Sequence, residues 1–402
     1  MTTSAAAVIP APPAERLRAQ LTELAAIHRP SASAGERQAA EWAVARLREQ
    51  GARAQIDTER VHGDYWGPLA LLSMAGAAGA MLGGRRPLAG AVVSALAAAG
   101  VWDDITGGKH HARRLLPERE TYNVVAELGP ADARRTVVLV SHHDAAKSGL
   151  IFHPGIPAFV WRRFPALIED NDTSPPLMWP VFAGPALAAA GSLTGSRALR
   201  RAGAIVSAGA AAVFAQIGST RVVPGANDNG TGVVALIELA RRLAAQPTSS
   251  VRVLLVSTGS EESFMEGMQA FMRRHAPSLS REDTFFLAVD TIGSPHLAAI
   301  RGEGMLYMNE YPPAGLALVD SVAQELGVWL FPNLRLRNAT DGLHALKQGY
   351  PCACLGSVTD YKAPSNYHWR TDTPDRVDYG TFADGVRLCE GIVRRLDERW
   401  LG

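Results

Sequence analysis

Short segments of this chain place histidine and carboxylate where hydrophobic runs end. They are SHHDAAKSG with His142 and Asp144, PGANDNGTG with Asp228, STGSEES with Glu261 and Glu262, FLAVDTIG with Asp290, and SNYHWRTDTPD with His368. Imidazole and carboxylate together, without thiolate, form the donor set of a hydrolytic zinc site. The clusters at His142, Glu261 and Asp290 directly follow apolar, β-branched runs. In an open α/β sheet the ends of such strands are where ligands bind. The pattern points to a metal-dependent hydrolase.

Taken singly, each cluster has a purely structural explanation. A histidine and an aspartate after a strand make a polar turn, and Asp228 sits among turn-forming Gly and Asn. Glu261 and Glu262 suit the first turn of a helix, where acids favour the dipole. Asp290 could cap a helix, and His368 could be any loop histidine. Their conjunction, in order, in one α/β chain is what carries the argument.

The surrounding elements fit that role. Apolar residues recur at helical spacing from Ala14 to Ile27 and again in ERQAAEWAVARLREQ, followed by the strand-like RAQIDTERV. NVVAEL and TVVLVS read as strands, and residues 152–176 as a polar stretch with prolines and aromatics. Beyond residue 220 the alternation is regular. A helix over about 230–245 precedes the strand VRVLLVST, and a helix over about 262–275 precedes TFFLAVD. AGLALVDSVAQEL and HALKQGY read as helices, PCACLGS as a strand, and GTFADGVRLCEGIVRRLDERW as a long final helix. This alternation implies a three-layer αβα domain with a mostly parallel sheet.

Two regions break the pattern. Residues 65–84 and 87–102 are uncharged and separated by Arg85 and Arg86; residues 175–196 and 202–220 are uncharged and separated by Arg197, Arg200 and Arg201. They read as two α-helical hairpins, over 65–104 and 175–220, inserted in a domain running from 14 to 402. Residues 1–13 read as a disordered leader without the basic and apolar regions of a signal peptide. About 20 apolar residues span a bilayer, so the hairpins are candidates for a multi-pass anchor in membrane lipid. A soluble lid or dimer interface, or a shallow dip from the cytosolic face, are the other readings. Arginines at the tips would put the tips in the cytoplasm and the catalytic part outside. That orientation requires about 64 N-terminal residues to cross without a signal peptide.

The net charge of +1 and the lack of a basic stripe argue against nucleic-acid binding. The cysteines, Cys352, Cys354 and Cys389, suggest buried thiols, with no disulfide framework.

From His142 to His368 the chain resembles the co-catalytic zinc exopeptidases of the MH clan, a family that includes aminopeptidases, glutamate carboxypeptidase-like enzymes and glutaminyl cyclases. The matching motifs are HxD at His142 and Asp144, GANDNGTG around Asp228, the Glu261-Glu262 pair, Asp290 at a strand end, and Tyr367-His368 followed by TDTPD. The resemblance covers roughly residues 34–58 and 120–400 and not the hairpins. It implies two zinc ions, one held by His142 and Asp290, the other by Glu262 and His368, with Asp228 bridging both. Glu261 would be the general base and Asp144 would orient His142. It also implies a cis peptide bond after Asp228. Asp372 could support His368 or cap a turn. The Ser/Thr-Asp-His motif of the family is altered here to Ala339-Thr340-Asp341-Gly342-Leu343-His344, so the histidine is displaced or absent. The implied activity is hydrolysis of a peptide or amino-acid amide by metal-activated water, most simply as an aminopeptidase. A carboxypeptidase, a glutaminyl cyclase-like enzyme and a non-catalytic receptor on this fold are the rivals, and the oligomeric state is left open.

Overall fold

Runs of valine, isoleucine and leucine with no interior proline become the strands of one mixed sheet. In chain order the strands are β1 (Arg53–Val61), β2 (Arg119–Leu128), β3 (Arg135–His142), β4 (Val251–Thr258), β5 (Thr284–Val289) and β6 (His296–Ala299). The short β7 (Gly302–Glu303), β8 (Asn309–Glu310) and β9 (Arg335–Leu336) form a small separate sheet, and β10 (Cys352–Val358) returns to the main one. The protein is described as a computed structural model over residues 9–401.

The seven-stranded sheet has the order β1-β2-β4-β3-β5-β10-β6. Its centre, β4-β3-β5-β10, is parallel, whereas β1, β2 and β6 pair antiparallel. The expected parallel sheet is therefore confined to the middle. β1 and β2 are neighbours because the segment between them leaves and returns at one edge and supplies no crossover. The parallel register brings His142 opposite Thr258, and the Asp290 amide donates to the Leu355 carbonyl at 2.9 Å. Four strand ends thus share one edge.

Helices cover both faces. They are α1 (Ala14–Ala25), α2 (Ala34–Glu49), α3 (Trp66–Leu82), α4 (Pro87–Ile105), α5 (Gly155–Arg163), α6 (Ala166–Glu169), α7 (Trp179–Leu193), α8 (Arg197–Gly218), α9 (Thr231–Ala245), α10 (Glu266–His275), α11 (Pro313–Leu326), α12 (Gly342–Lys347) and α13 (Tyr379–Glu398). One core joins the sheet to α1, α2, α9, α11 and α13. The other joins it to α10, α12 and the feet of α3, α4 and α8 through Leu69, Val101, Ile105, Phe214 and Ile217. Residues 1–8 of the expected leader lie outside the described residues. Within 9–13, the Ile9 carbonyl accepts from Arg387 on α13 at 2.9 Å.

The two apolar hairpins do not stand apart. α3 packs on α4, α7 and α8, and α7 packs on α4 and α8, giving one four-helix bundle. Its interior is built from small residues such as Gly76, Gly79, Gly184, Gly203, Ala188 and Ser207. Leu71, Met74, Met81, Leu88, Val92, Leu96, Leu193 and Ile205 point outward and are exposed. Gly203 is a point of closest approach: a Cβ there would meet the Ala188 nitrogen at 2.5 Å and the Gly184 carbonyl at 2.8 Å. Because those are backbone atoms, Gly203→Leu is expected to force α7 and α8 apart and destabilise the bundle by about 1–3 kcal/mol or more. Thermal unfolding of the purified variant, followed by aggregation onset, checks this.

The helix expected from about residue 262 begins only at Glu266. Glu261, Glu262 and Ser263 form a turn before it, because their backbone is engaged by a buried carboxylate from another loop.

Candidate metal centre

The donors come together at the C-terminal edge of the parallel strands. His142 ends β3, Glu261 and Glu262 follow β4, Asp290 follows β5, and His368 lies in the loop after β10. Asp228 is supplied by the turn Ala226–Gly230 before α9, where the Asp228–Asn229 peptide bond is cis, as expected. Gly232 lets α9 approach the sheet, since a Cβ there would lie 2.1 Å from the Ser141 hydroxyl.

His142 Nε2 lies 3.2 Å from Asp228 Oδ1, 3.8 Å from Glu261 Oε2 and 3.9 Å from Asp290 Oδ2. His368 Nε2 lies 3.2 Å from Asp228 Oδ2 and 3.2 Å from Glu262 Oε2. Two sets of three donors, His142-Asp228-Asp290 and Asp228-Glu262-His368, each have their atoms within 4.8 Å of one another and share Asp228. A third combination, His142-Glu261-Glu262, reuses the same side chains. His142 is nearer to Asp228 than to Glu261, and Glu262 sits against His368, so the two Asp228-sharing sets describe the site better.

Charge is unbalanced in a way cations would relieve. Burial alone would raise the Asp228 carboxyl, but the facing imidazoles of His142 and His368 more than offset it and hold it below the carboxylate range. Burial pushes Asp290 up to about 8, and burial with neighbouring carboxylates pushes Glu261 well above its ordinary value. Burial opposes the charge on His368, yet Glu262 and Asp228 raise it to about 10. Asp228 Oδ2, Glu262 Oε1 and His368 Nδ1 are buried without a hydrogen-bond partner. An all nitrogen and oxygen donor set of this composition fits zinc.

Neighbouring groups fix the donors. Asp144 accepts from the Ser31 hydroxyl at 2.6 Å and from the backbone amides of Glu261 and Glu262, both at 3.1 Å, while its Oδ1 faces His142 Nδ1 at 3.4 Å. It therefore couples β3 to the glutamate turn as well as to His142. Asp144→Asn leaves a donor against a donor and is expected to weaken zinc affinity about 10–100-fold, read by competition with a chromogenic chelator. Asp372 supports the Asp228 turn and not His368: it accepts from the amides of Asn227 at 2.8 Å and Asp228 at 3.1 Å. Asn229 ties that turn to β5 by donating to the Val289 carbonyl at 3.0 Å and accepting from the Thr291 amide at 3.1 Å. In the altered motif, Asp341 accepts from the Thr258 hydroxyl, whereas His344 is buried away from the donors and burial lowers it to about 3.

Residues without a motif also build the site. Arg29 is fully buried and donates to the carbonyls of His143 at 2.7 Å, Pro224 at 2.6 Å and Gly225 at 2.7 Å, clamping the His142 and Asp228 loops together. Glu36 accepts from the Ser260 amide at 2.9 Å, the Thr121 hydroxyl at 2.7 Å and the Ala32 amide at 2.7 Å. Its only sequence signal is the Ser33-x-x-Glu36 spacing of a capping box. Lys147 donates to the Gly218 and Thr220 carbonyls, fastening the end of α8 to the loop after Asp144.

A cleft of about 630 Å³ opens over Glu261, Glu262 and His368. Phe152 packs on His368 with ring centroids 4.7 Å apart, and Tyr65, immediately before α3, stacks on Phe264 at 4.8 Å. Residues 152–176, expected to be a polar stretch, supply an apolar wall of this cleft. None of their charged side chains lines it, whereas Phe152, Ile156, Val160, Leu167 and Ile168 do, with Asn171 among the few polar groups.

Residues 210–392 match the family model described as Peptidase family M28, a span that includes Asp228, Glu261, Glu262, Asp290 and His368 and stops short of His142 and Asp144. An aminopeptidase of Pseudomonas aeruginosa is 33% identical over 109 residues, which is 26% of this chain and 20% of that protein. The chain thus matches about a fifth of that relative's length. The uncharacterized protein YfbL of Escherichia coli K12 is 27% identical over 201 residues, 43% of this chain and 59% of its own. Among solved structures, a leucine aminopeptidase precursor from Bacteroides thetaiotaomicron superposes with a TM-score of 0.56 at 12% identity, over 96% of this chain and 98% of that one. A Zn-dependent exopeptidase from Parabacteroides distasonis gives 0.54 at 13%, over 97% and 99%. A glutaminyl cyclase from Porphyromonas gingivalis gives 0.51 at 16%, over 96% and 98%. Residues 210–392 are thus similar to peptidase family M28, and the chain shares its fold with solved zinc-dependent exopeptidase and aminopeptidase structures.

Proposed function

We propose that this chain is a membrane-anchored zinc metallopeptidase of the aminopeptidase type. The observation that carries the reading is the pair of donor sets sharing Asp228, with Glu261 beside them at the floor of the cleft. His142 and Asp290 would hold one zinc, Glu262 and His368 the other, and Asp228 both. Bound zinc would supply Lewis acidity and lower the pKa of a water molecule. Glu261 would take the proton of that water and hand it to the leaving amine as the C–N bond breaks. Asp144 keeps His142 and the glutamate turn in register during these steps. The apolar wall, with Phe152 and Tyr65, excludes bulk water.

The bundle supports the anchor. A soluble helix bundle buries its large apolar residues, whereas this one, beyond the feet where Leu69, Val101, Ile105, Phe214 and Ile217 meet the sheet, buries glycine, alanine and serine and exposes leucine, methionine and isoleucine. That arrangement suits a lipid surround, where small residues let helices approach closely. Pro87–Ile105 and Arg197–Gly218 are long and apolar enough to cross a bilayer. Arginine at the tips favours an orientation with the bundle's far end in the cytoplasm and the metal centre on the opposite side.

The test is metal analysis of the detergent-purified chain alongside hydrolysis of free-amine and N-blocked peptides. The reading expects two zinc ions per chain and cleavage that requires the free amine. One zinc with cyclisation of amino-terminal glutamine would place the activity with the glutaminyl cyclases. No metal and no hydrolysis would sink the enzyme reading.

A further inference from the structure

The cleft over the metal centre is larger than one amino-acid side chain requires, and its rim is apolar. At about 630 Å³ it lies in the range of sites that enclose a whole drug-sized ligand. Ile151, Ile156, Leu167, Leu177 and Trp179 line it and are also solvent-exposed, so they form its mouth. Trp179 is the first residue of α7, which places that mouth at the foot of the apolar bundle.

The wall itself leans outward. No residue of α5 is buried, and Phe159 and Phe164 are exposed beside Arg162 and Arg163. Aromatic and basic residues together on an exposed helix suit the headgroup boundary of a bilayer. The wall is nonetheless fixed to the metal loops, because the buried Lys362 ammonium donates to the carbonyls of Ile168, Glu169 and Asn171 at the end of α6. Asn171, Ser174 and Arg337 give one side of the cleft a polar edge.

We propose that the substrate is an amphiphilic amide: its polar end is held at the donor cluster, and a long alkyl arm lies along the cleft and leaves between Ile156 and Leu177 into the membrane boundary. This rests on the hydrolase reading above and narrows it to a substrate class. The scissile C–N bond takes up water to give a free acid and a free amine, one of which carries the arm and returns to the bilayer. Each methylene withdrawn from water adds to binding, so affinity rises with arm length until the arm emerges from the rim.

The experiment uses the full chain in lipid nanodiscs, both zinc-loaded and stripped of metal. Leucine alkylamides with methyl, butyl, octyl and dodecyl groups put the arm on the leaving amine. Anilides of 2-aminoalkanoic acids of matching lengths put it on the acyl side. In one of the two series kcat/KM is expected to climb about tenfold or more from the shortest to the longest member. Kd for the metal-free protein should fall in step, and Leu177→Asp and Ile156→Asp should flatten both trends. Flat rates and flat binding in both series overturn the proposal and, where turnover is seen, leave the hydrolase intact. A falling Kd with no turnover of any member keeps the alkyl channel and overturns the hydrolase. A trend that survives unchanged in both variants comes from partition into lipid and also overturns the proposal.

Discussion

Glu261→Gln is expected to lower turnover by about a hundred- to ten-thousandfold while zinc content stays at that of the unaltered chain. The substitution keeps shape and removes only the ability to accept a proton. Glu261 has no side-chain hydrogen bond to lose, and its backbone amide remains held by Asp144 at 3.1 Å. The adjacent Glu262 is the internal control. It faces His368 Nε2 at 3.2 Å, so Glu262→Gln should lose metal together with activity. Metal analysis and single-turnover rates on both variants separate the roles. If Glu261→Gln loses zinc while Glu262→Gln keeps it, ligand and base are exchanged.

Arg29→Met is expected to destabilise the chain by about 2–5 kcal/mol, since the carbonyls of His143 and Pro224 lose their donor and that of Gly225 keeps only the Gly230 amide. Burial lowers the Arg29 guanidinium to about 10, against the pull of Asp372, Asp144, Asp228 and Glu262, so it stays charged at neutral pH. It therefore both ties the two metal loops and offsets their carboxylates. Arg29→Lys should recover only part of the loss, because an ammonium cannot match a planar fork reaching three carbonyls. The midpoint of urea unfolding in detergent, taken with zinc affinity, measures both effects. A midpoint within about 0.5 kcal/mol of the unaltered chain would remove Arg29 from the account.

The donors were legible because their chemistry and their position coincide. A histidine or acid directly after an apolar run announces a strand end, and parallel strands deliver such ends to one edge. Arg29 and Glu36 were not legible. Each acts through backbone groups more than a hundred residues away, and nothing in IHRPSAS marks a carbonyl, or in SAGERQ an amide, elsewhere in the fold. Asp372 had two readings in sequence, support of His368 or capping of a turn, and the structure shows the second, at the distant Asp228 turn.

By itself the sequence determined the candidate donor residues, the alternation of strands and helices and the existence of two apolar hairpins, because residue type and periodicity are local properties. Tertiary structure decided how those pieces meet. The hairpins merge into one bundle because glycines on one meet proline and serine on the other, as Gly76 does at Pro185 and Ser207. The stretch at 152–176 reads as polar along the chain, yet its scattered apolar side chains converge on one wall of the cleft. Small-to-small packing and convergence of side chains are properties of surfaces, and a surface exists only once distant segments have been brought together.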